Sequence, residues 1–281
     1  MYDAASLSDP LVHQRARGAL RVSFRLRDGC AVLDGLRQEG CLKARFPRRE
    51  RDAWTSMVML NSSGGVAGGD MLSTEVGVGA GACATVSAQA AERFYRALPG
   101  LPPATVRNRV VIGAGAAAEW LPQETILFDR CALDRRLDVS LAPDGWFLGL
   151  EALVFGRAAM GETVRQAALR DTIRVRRGGA LVLHDAIRLD GAVEALFARA
   201  ATMGGSRALG TIVHVAPDAE RHLDGLRAAL TSTAAECGAS AWNGMLVARV
   251  LAADGATLRA ATVAGIQALR GSRPLPRVWL C

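Results

Sequence analysis

The chain has 281 residues, half of them hydrophobic, and a formal charge of +7. That length allows one large β domain or two ordinary ones, and with aromatics at only 5% the core must be built mostly from Val, Leu, Ile and Ala. No apolar run approaches the ~20 residues of a membrane helix. The first ten residues carry two acids and no apolar segment of the secretory kind, and the six cysteines show no Cys-x-x-Cys pair or zinc-like spacing with histidine. A soluble cytosolic protein is expected, with free and mostly buried thiols and an exposed Cys281.

The charge rests on arginine, with Lys43 the one lysine. A basic balance can serve nucleic acid, an acidic membrane surface or an acidic protein partner. Here the arginines alternate along strand-like runs, without a helix-length basic stripe and with few aromatics between them to stack on bases. A solvated outer strand face accounts for most of them, and an acidic protein partner comes next.

In chain order, residues 1–18 read as a flexible leader and 19–281 as a single β-rich domain. Arg21, Ser23, Arg25 and Arg27 alternate with Val22, Phe24 and Leu26, the period of a half-buried strand, and Asp28-Gly29 follows as a hairpin turn. Gly64, Gly65, Gly68, Gly69 and Asp70 then form a loop whose glycines call for positive φ or close backbone approach. A nucleotide P-loop requires Gly-Lys-Ser/Thr and a dinucleotide fingerprint Gly-x-Gly-x-x-Gly before a helix; this loop ends Gly-Gly-Asp before strand-like residues, so neither fits. A tight turn between buried strands remains open beside a functional loop.

Strand-like runs meet Gly-rich turns at 78–82, 112–116, 141–146, 176–180 and 253–256. Gly79, Gly113 and Pro143 are 34 and 30 residues apart, which predicts stacked antiparallel hairpins in two layered sheets, with too much drift for a solenoid. Helices are few and short. The clearest spans Asp218 to Leu230, capped by Asp218, with Leu223, Leu226 and Leu230 on one face. Residues 88–98 have helical propensity, with Glu92 and Arg96 at i, i+4. Two prolines bar regular helix from the tail, 270–279, where Arg273, Arg277 and Trp279 suit either a strap across the domain or a partner contact.

Catalytic parts are missing. His184 and Asp185, adjacent on a strand, face opposite sides, and there is no Gly-x-Ser-x-Gly elbow. Asp70, Glu124 and Asp129 sit among residues that should be buried, where a charge is costly unless paired, hydrated or bound to a cation. Either they form ion pairs with arginines such as Arg93 and Arg130, or with Ser87, Gln89 and Gln123 they line a polar passage through an apolar β core. Oxygen ligands without clustered His or Cys hold a divalent metal weakly, which suits transit rather than storage.

The Gly-Gly-x-x-Gly-Gly-Asp loop, the Glu92-Arg93-Phe94-Tyr95-Arg96 run, the block Glu119-Trp120-Leu121-Pro122-Gln123-Glu124 with Phe128-Asp129, and the Pro-Arg-x-Trp ending together resemble the urease accessory protein D family, also called H. The resemblance implies a non-enzymatic, mostly β scaffold. Such a scaffold binds apo-urease, recruits the F-type accessory protein and through it a GTPase, and passes Ni2+ transiently through an internal channel, with no permanent cofactor, nucleic acid or membrane. It implies a strand running into a loop at 88–98, loop roles for Gly64, Gly65, Gly68, Gly69 and Asp70, a passage along Asp70, Ser87, Gln123, Glu124 and Asp129, motif roles for Arg93, Tyr95 and Trp120, and partner contacts at Arg273, Arg277 and Trp279. Asn61-Ser62-Ser63 stands where many relatives have His-Pro-Pro, so no histidine ligand is expected there. Charge alone leaves a basic nucleic-acid-binding β protein as the alternative.

Overall fold

The alternation near the start forms strand β1 (Arg17–Arg27), with Leu20, Val22 and Phe24 buried, in a computed structural model that describes residues 14–48, 54–157 and 160–280. Residues 1–13 of the expected leader, and Cys281, lie outside the described residues. Asp28 and Gly29, both at positive φ, turn the chain into β2 (Cys30–Gly40), antiparallel to β1 as the Asp-Gly signal predicts.

From there the chain crosses between two sheets instead of returning within one. β3 (Leu42–Arg45) and β4 (Thr55–Asn61) pair in the second sheet, and β5 (Met71–Val78) lies beside β1 in the first. β6 (Cys83–Ala88), β9 (Ala117–Leu121) and β12 (Trp146–Phe155) then fall in the second sheet, while β8 (Ala104–Ile112), β11 (Cys131–Leu141) and β13 (Gln166–Arg177) fall in the first. The first sheet runs β14-β13-β11-β8-β5-β1-β2, with β14 (Ala180–Ala192) at its margin. The second adds β15 (Ala208–Val215), β16 (Glu236–Trp242) and β17 (Met245–Ala252) in the order β16-β17-β15-β12-β9-β6-β4-β3. Two short strands, β7 (Glu92–Phe94) and β10 (Thr125–Leu127), join beside β12.

The protein is therefore mostly β and two-sheeted, as expected, but only partly antiparallel. β1, β5, β8, β11 and β13 pair parallel, as do β4, β6, β9 and β12; β1–β2, β13–β14 and β3–β4 at the margins, and the run β12-β15-β17-β16, are antiparallel. The Gly-rich turns at 78–82, 112–116 and 141–146 are arches from the first sheet to the second. They stack through backbone bonds: Gly81 N–H donates to Ala114 O (2.9 Å) and Trp146 N–H to Ala116 O (3.0 Å). The 34- and 30-residue spacing thus measures one circuit of a short parallel coil. Alternation followed by a glycine turn fits a hairpin and an arch equally. What separates them is the next strand, since β9 and residues 147–153 of β12 are buried at every position, as parallel strands covered on both faces are.

The second face of that sheet is covered by helices. The turn expected at 253–256 is instead a helix start: Asp254 accepts from Thr257 N–H (2.8 Å) and caps α3, whose range is Gly255–Arg270. Leu258, Ala261, Thr262, Gly265, Ile266 and Leu269 make its buried stripe. A Cβ on Gly265 would sit 2.6 Å from Ile212, so glycine lets this helix approach β15. The helix expected over 218–230 divides into a 3-10 turn (Ala219–His222) and α2 (Leu223–Thr231), and Asp218 makes no side-chain cap; Leu226 and Leu230 are buried as their spacing predicts. A further single-turn helix, α1, spans Glu194–Phe197. One apolar core lies between the sheets and a second between β-sheet and helices. Residues 92–94 are strand despite their helical propensity, because β7 pairs with β10.

Candidate polar passage between the sheets

The Gly-rich loop carries the chain from β4 to β5. Val66 N–H donates to Arg93 O and Tyr95 N–H to Val66 O, both at 2.8 Å, so the loop is stitched to β7. Gly65 has φ of 141° and a Cβ there would lie 2.3 Å from the Tyr95 ring; the Tyr95 hydroxyl donates to Gly64 O at 2.9 Å. Asp70 closes the loop: Oδ2 accepts from Ala67 N–H and Oδ1 from Ala16 N–H, each at 2.8 Å. Both carboxylate oxygens are thereby committed to backbone, with no arginine needed. Asp70→Ala is expected to cost about 2 kcal/mol, from two charge-assisted bonds, and to lower the thermal midpoint by several degrees. An unchanged midpoint would remove this structural role.

Beneath the loop, between the sheets, lies a cavity of about 330 Å³. Gly64, Gly65, Asn61, Gln89, Glu92 and Arg93 line one part of it; Trp120, Gln123, Thr125, Arg135 and Glu151 line another. Asn61 donates to Glu92 (3.1 Å), and burial raises the Glu92 acid against this bond and the neighbouring Arg93 charge.

Three charges, each at most 6% exposed, lie further in. Arg135 on β11 stands opposite Asp171 on β13 and donates from Nε to Oδ1 (2.9 Å) and from Nη2 to Oδ2 (2.6 Å). Its Nη1 donates to Thr125 Oγ1 (2.8 Å) and lies 2.7 Å from Glu151 Oε2. Trp120 Nε1–H donates to Glu151 Oε1 at 3.0 Å. Burial opposes the Arg135 charge, but Asp171 and Glu151 more than offset it and raise its pKa. Burial, helped by Asp171, pushes the Glu151 acid up in spite of Arg135. A second, small cavity of about 10 Å³ begins on the far side, lined by Glu151, Asp171, Asp185 and Thr211 among apolar residues. There Asp185 pairs with Arg249, which also donates to Thr211.

Of the residues offered for a passage from sequence, Gln89 and Gln123 line the large cavity; Arg259 donates to Gln123 Oε1 (2.6 Å), and Gln123 Nε2 donates to Val278 O (2.6 Å). Glu124 lies outside the lining, 3.6 Å from Arg259. Asp129 accepts from Arg165 and Gln166 N–H at the start of β13, bonds that outweigh burial and lower its pKa. Ser87 faces the other side of β6, where with Thr85 it lines a cleft under the tail. Trp120 joins the passage through Glu151, and Arg93 stands at its rim.

The tail is a strap. Trp279 is buried and donates from Nε1 to Leu121 O (3.1 Å); Arg273 pairs with Glu119 (2.9 Å) and stacks 3.8 Å over Trp54. These two are engaged inside the chain, and Arg277, the third expected partner contact, is exposed. Of the thiols expected to be buried, Cys131 is; Cys30, Cys41, Cys83 and Cys237 are free and half-exposed.

The outer arginines of the first sheet alternate with acids across in-register strands: Arg21, Glu75, Arg109, Asp138 and Arg174 form one row, with Arg21–Glu75 at 2.8 Å and Arg174–Asp138 at 2.5 Å. Such a row offsets two of its three positive charges instead of presenting a basic stripe. Among the described residues, no helix is long and apolar enough to cross a membrane, and no group of three His, Cys, Asp or Glu is arranged to hold a metal.

Sequence missed Arg135, Glu151 and Asp171, although a signal exists. In β11 and β13 the inward positions read Leu133, Arg135, Leu137 and Leu169, Asp171, Ile173, so one charge in each strand occupies the apolar phase. Glu151 is the single charge in β12.

A family model described as UreD urease accessory protein matches residues 16–280. The urease accessory protein UreD of Xanthobacter autotrophicus is 46% identical over 275 residues, spanning 98% of this chain and 93% of the relative. That of Azorhizobium caulinodans is 45% identical over 266 residues (95% and 97%), and that of a Methylobacterium strain 46% over 272 (95% of each).

Proposed function

The chain belongs to the UreD family of urease accessory proteins, and from that premise we propose that it is a non-enzymatic scaffold for urease maturation that passes Ni2+ to apo-urease between its two sheets. It acts in the cytoplasm with apo-urease, an F-type accessory protein and, through that protein, a GTPase. Ni2+ is cargo, held by successive oxygen ligands weakly enough to leave each one.

The observation that carries this reading is a line of acids across the sandwich: Glu92, half-buried, in the large cavity, Glu151 lining both cavities, and Asp171 and Asp185 lining the smaller. A buried ion cluster is weak evidence for stability, because well-packed apolar residues in its place are often as good or better. Its position between two cavities gives it a use. The passage is accordingly assigned to Glu92, Gln123, Glu151, Asp171 and Asp185, and not to Asp70, Ser87, Glu124 or Asp129.

Glu151→Gln keeps an acceptor for Trp120 and removes the charge. In a host with the full urease gene set, the variant is expected to lower the nickel content and activity of urease several-fold while the accessory complex still assembles. Unchanged nickel in an assembled complex would overturn the passage.

A further inference from the structure

Arg135 stands where the two cavities meet. Glu151 lines both, Arg135 lines the larger and Asp171 the smaller, so the guanidinium and its two carboxylates lie at the boundary between them. The cluster is unbalanced: two carboxylates face one fixed cation. Asp171 is satisfied bidentately, whereas Glu151 Oε2, 2.7 Å from Nη1, is buried and out of line for a hydrogen bond from it or any other described group. With both carboxyl groups ionised, one guanidinium leaves the cluster at minus one, and one divalent ion in its place would neutralise them. The space is also asymmetric, with about 330 Å³ on the Arg135 side for the side chain to withdraw into and about 10 Å³ on the other.

We propose that Arg135 is a tethered cation occupying a divalent-cation site between Glu151 and Asp171, and that it closes the passage until it withdraws. The ligands exposed by its withdrawal are the carboxylate oxygens of Glu151 and Asp171 with the Thr125 hydroxyl, an all-oxygen set of weak affinity for a first-row divalent ion. Closure rests on the nickel-passage reading; the cation site itself does not, and the two are tested separately.

The test is thermal unfolding of the purified full chain with and without NiCl2. Arg135→Gln leaves two buried carboxylates without their cation and is expected to melt several degrees below wild type in metal-free buffer. Saturating Ni2+ is expected to recover about 5 °C of that loss, to shift wild type much less, and to have no such effect on Arg135→Gln/Glu151→Gln. An equal shift in wild type and Arg135→Gln, or one that persists in the double variant, would overturn the proposal by placing the metal elsewhere. Should Arg135→Gln not fold alone, recovery of folded protein only from cells grown with added nickel supports the site, and recovery in neither condition overturns it. A Glu151-dependent shift, combined with normal urease nickel in Glu151→Gln cells, keeps the cation site and removes the passage. No shift, combined with nickel-poor urease, keeps the passage and removes the plug.

Discussion

Glu119→Ala is expected to destabilise the protein by about 4 kcal/mol and to free the C-terminal strap. Glu119 lies on β9 with no exposed surface. Oε1 accepts from Arg270 Nε and Arg273 Nη2, both at 2.9 Å, and Oε2 accepts from Arg270 Nη2 at 3.1 Å and from Thr85 Oγ1 at 2.6 Å. One carboxylate therefore serves two guanidinium groups, and Arg270, only 7% exposed, also donates to Pro274 O. Removing it strands both positive charges in a low-dielectric layer, which is far costlier than losing an exposed pair. Arg273 would also lose the anchor that holds it over Trp54. Glu119→Gln retains an acceptor for Thr85 and should fall between wild type and alanine. Urea midpoints report the stability, and the strap is read by tryptic cleavage after Arg270, a site expected to be cut in the alanine variant before the sheets unfold. A loss below about 1 kcal/mol with the tail still protected would show that the cluster is not what holds the strap.

Much of the fold could be read from residues because local pattern and tertiary use agree. β1 and β2 follow from alternation and an Asp-Gly turn, and Leu226 and Leu230 reach the core their spacing predicts. Topology could not be read in the same way. Gly79, Gly113 and Pro143 mark turns, and a turn does not disclose whether the next strand returns to the same sheet or crosses to another. The disclosing feature is Ala117–Leu121, whose unbroken burial requires cover on both faces, hence helices behind it. α3 was hidden by the same ambiguity: Asp254-Gly255 reads as a turn until Thr257 is seen to be capped.

The site divides similarly. The glycines of the loop were legible, because positive φ and the approach of Tyr95 to Gly65 need residues without side chains. Asp70 drew notice as a carboxylate in an apolar setting, but its partners are the backbone of residues 16 and 67, which no spacing of charges announces. Arg135 and Asp171 lie 36 residues apart in sequence and meet only because one circuit of the coil sets β11 beside β13 in that register. Once the parallel pairing is known, charges in the apolar phase of neighbouring strands become the place to look for a buried polar line. The same reasoning places Glu119, Thr85 and Ser87 on the opposite face, with the strap.

Acidification from pH 7.5 to 4.5 is expected to remove up to about 3 kcal/mol of stability through His214. Its ring is fully buried on β15, within 5.0 Å of Trp146 and 5.6 Å of His222 between centroids. Nδ1 lies 3.0 Å from Phe147 O; a carbonyl accepts, so Nδ1 carries the proton of a neutral ring. Nε2 is buried with no described hydrogen-bond partner, so a second proton would create a cation in an apolar layer near Arg273. Burial lowers the pKa to about 4, despite the bond to Phe147 O. An unfolded histidine titrates near 6.5. Between these values the unfolded chain binds the extra proton and the folded chain does not, so stability is complete above about pH 6.5 and falls as pH drops toward 4. Glu151 works in the opposite sense, since a raised carboxyl pKa favours the folded state on the acid side. His214→Gln should flatten the dependence, because glutamine can donate to Phe147 O without titrating. Urea midpoints at pH 7.5 and 4.5 for both proteins decide the matter: an equal slope in the variant would assign the acid sensitivity to other groups.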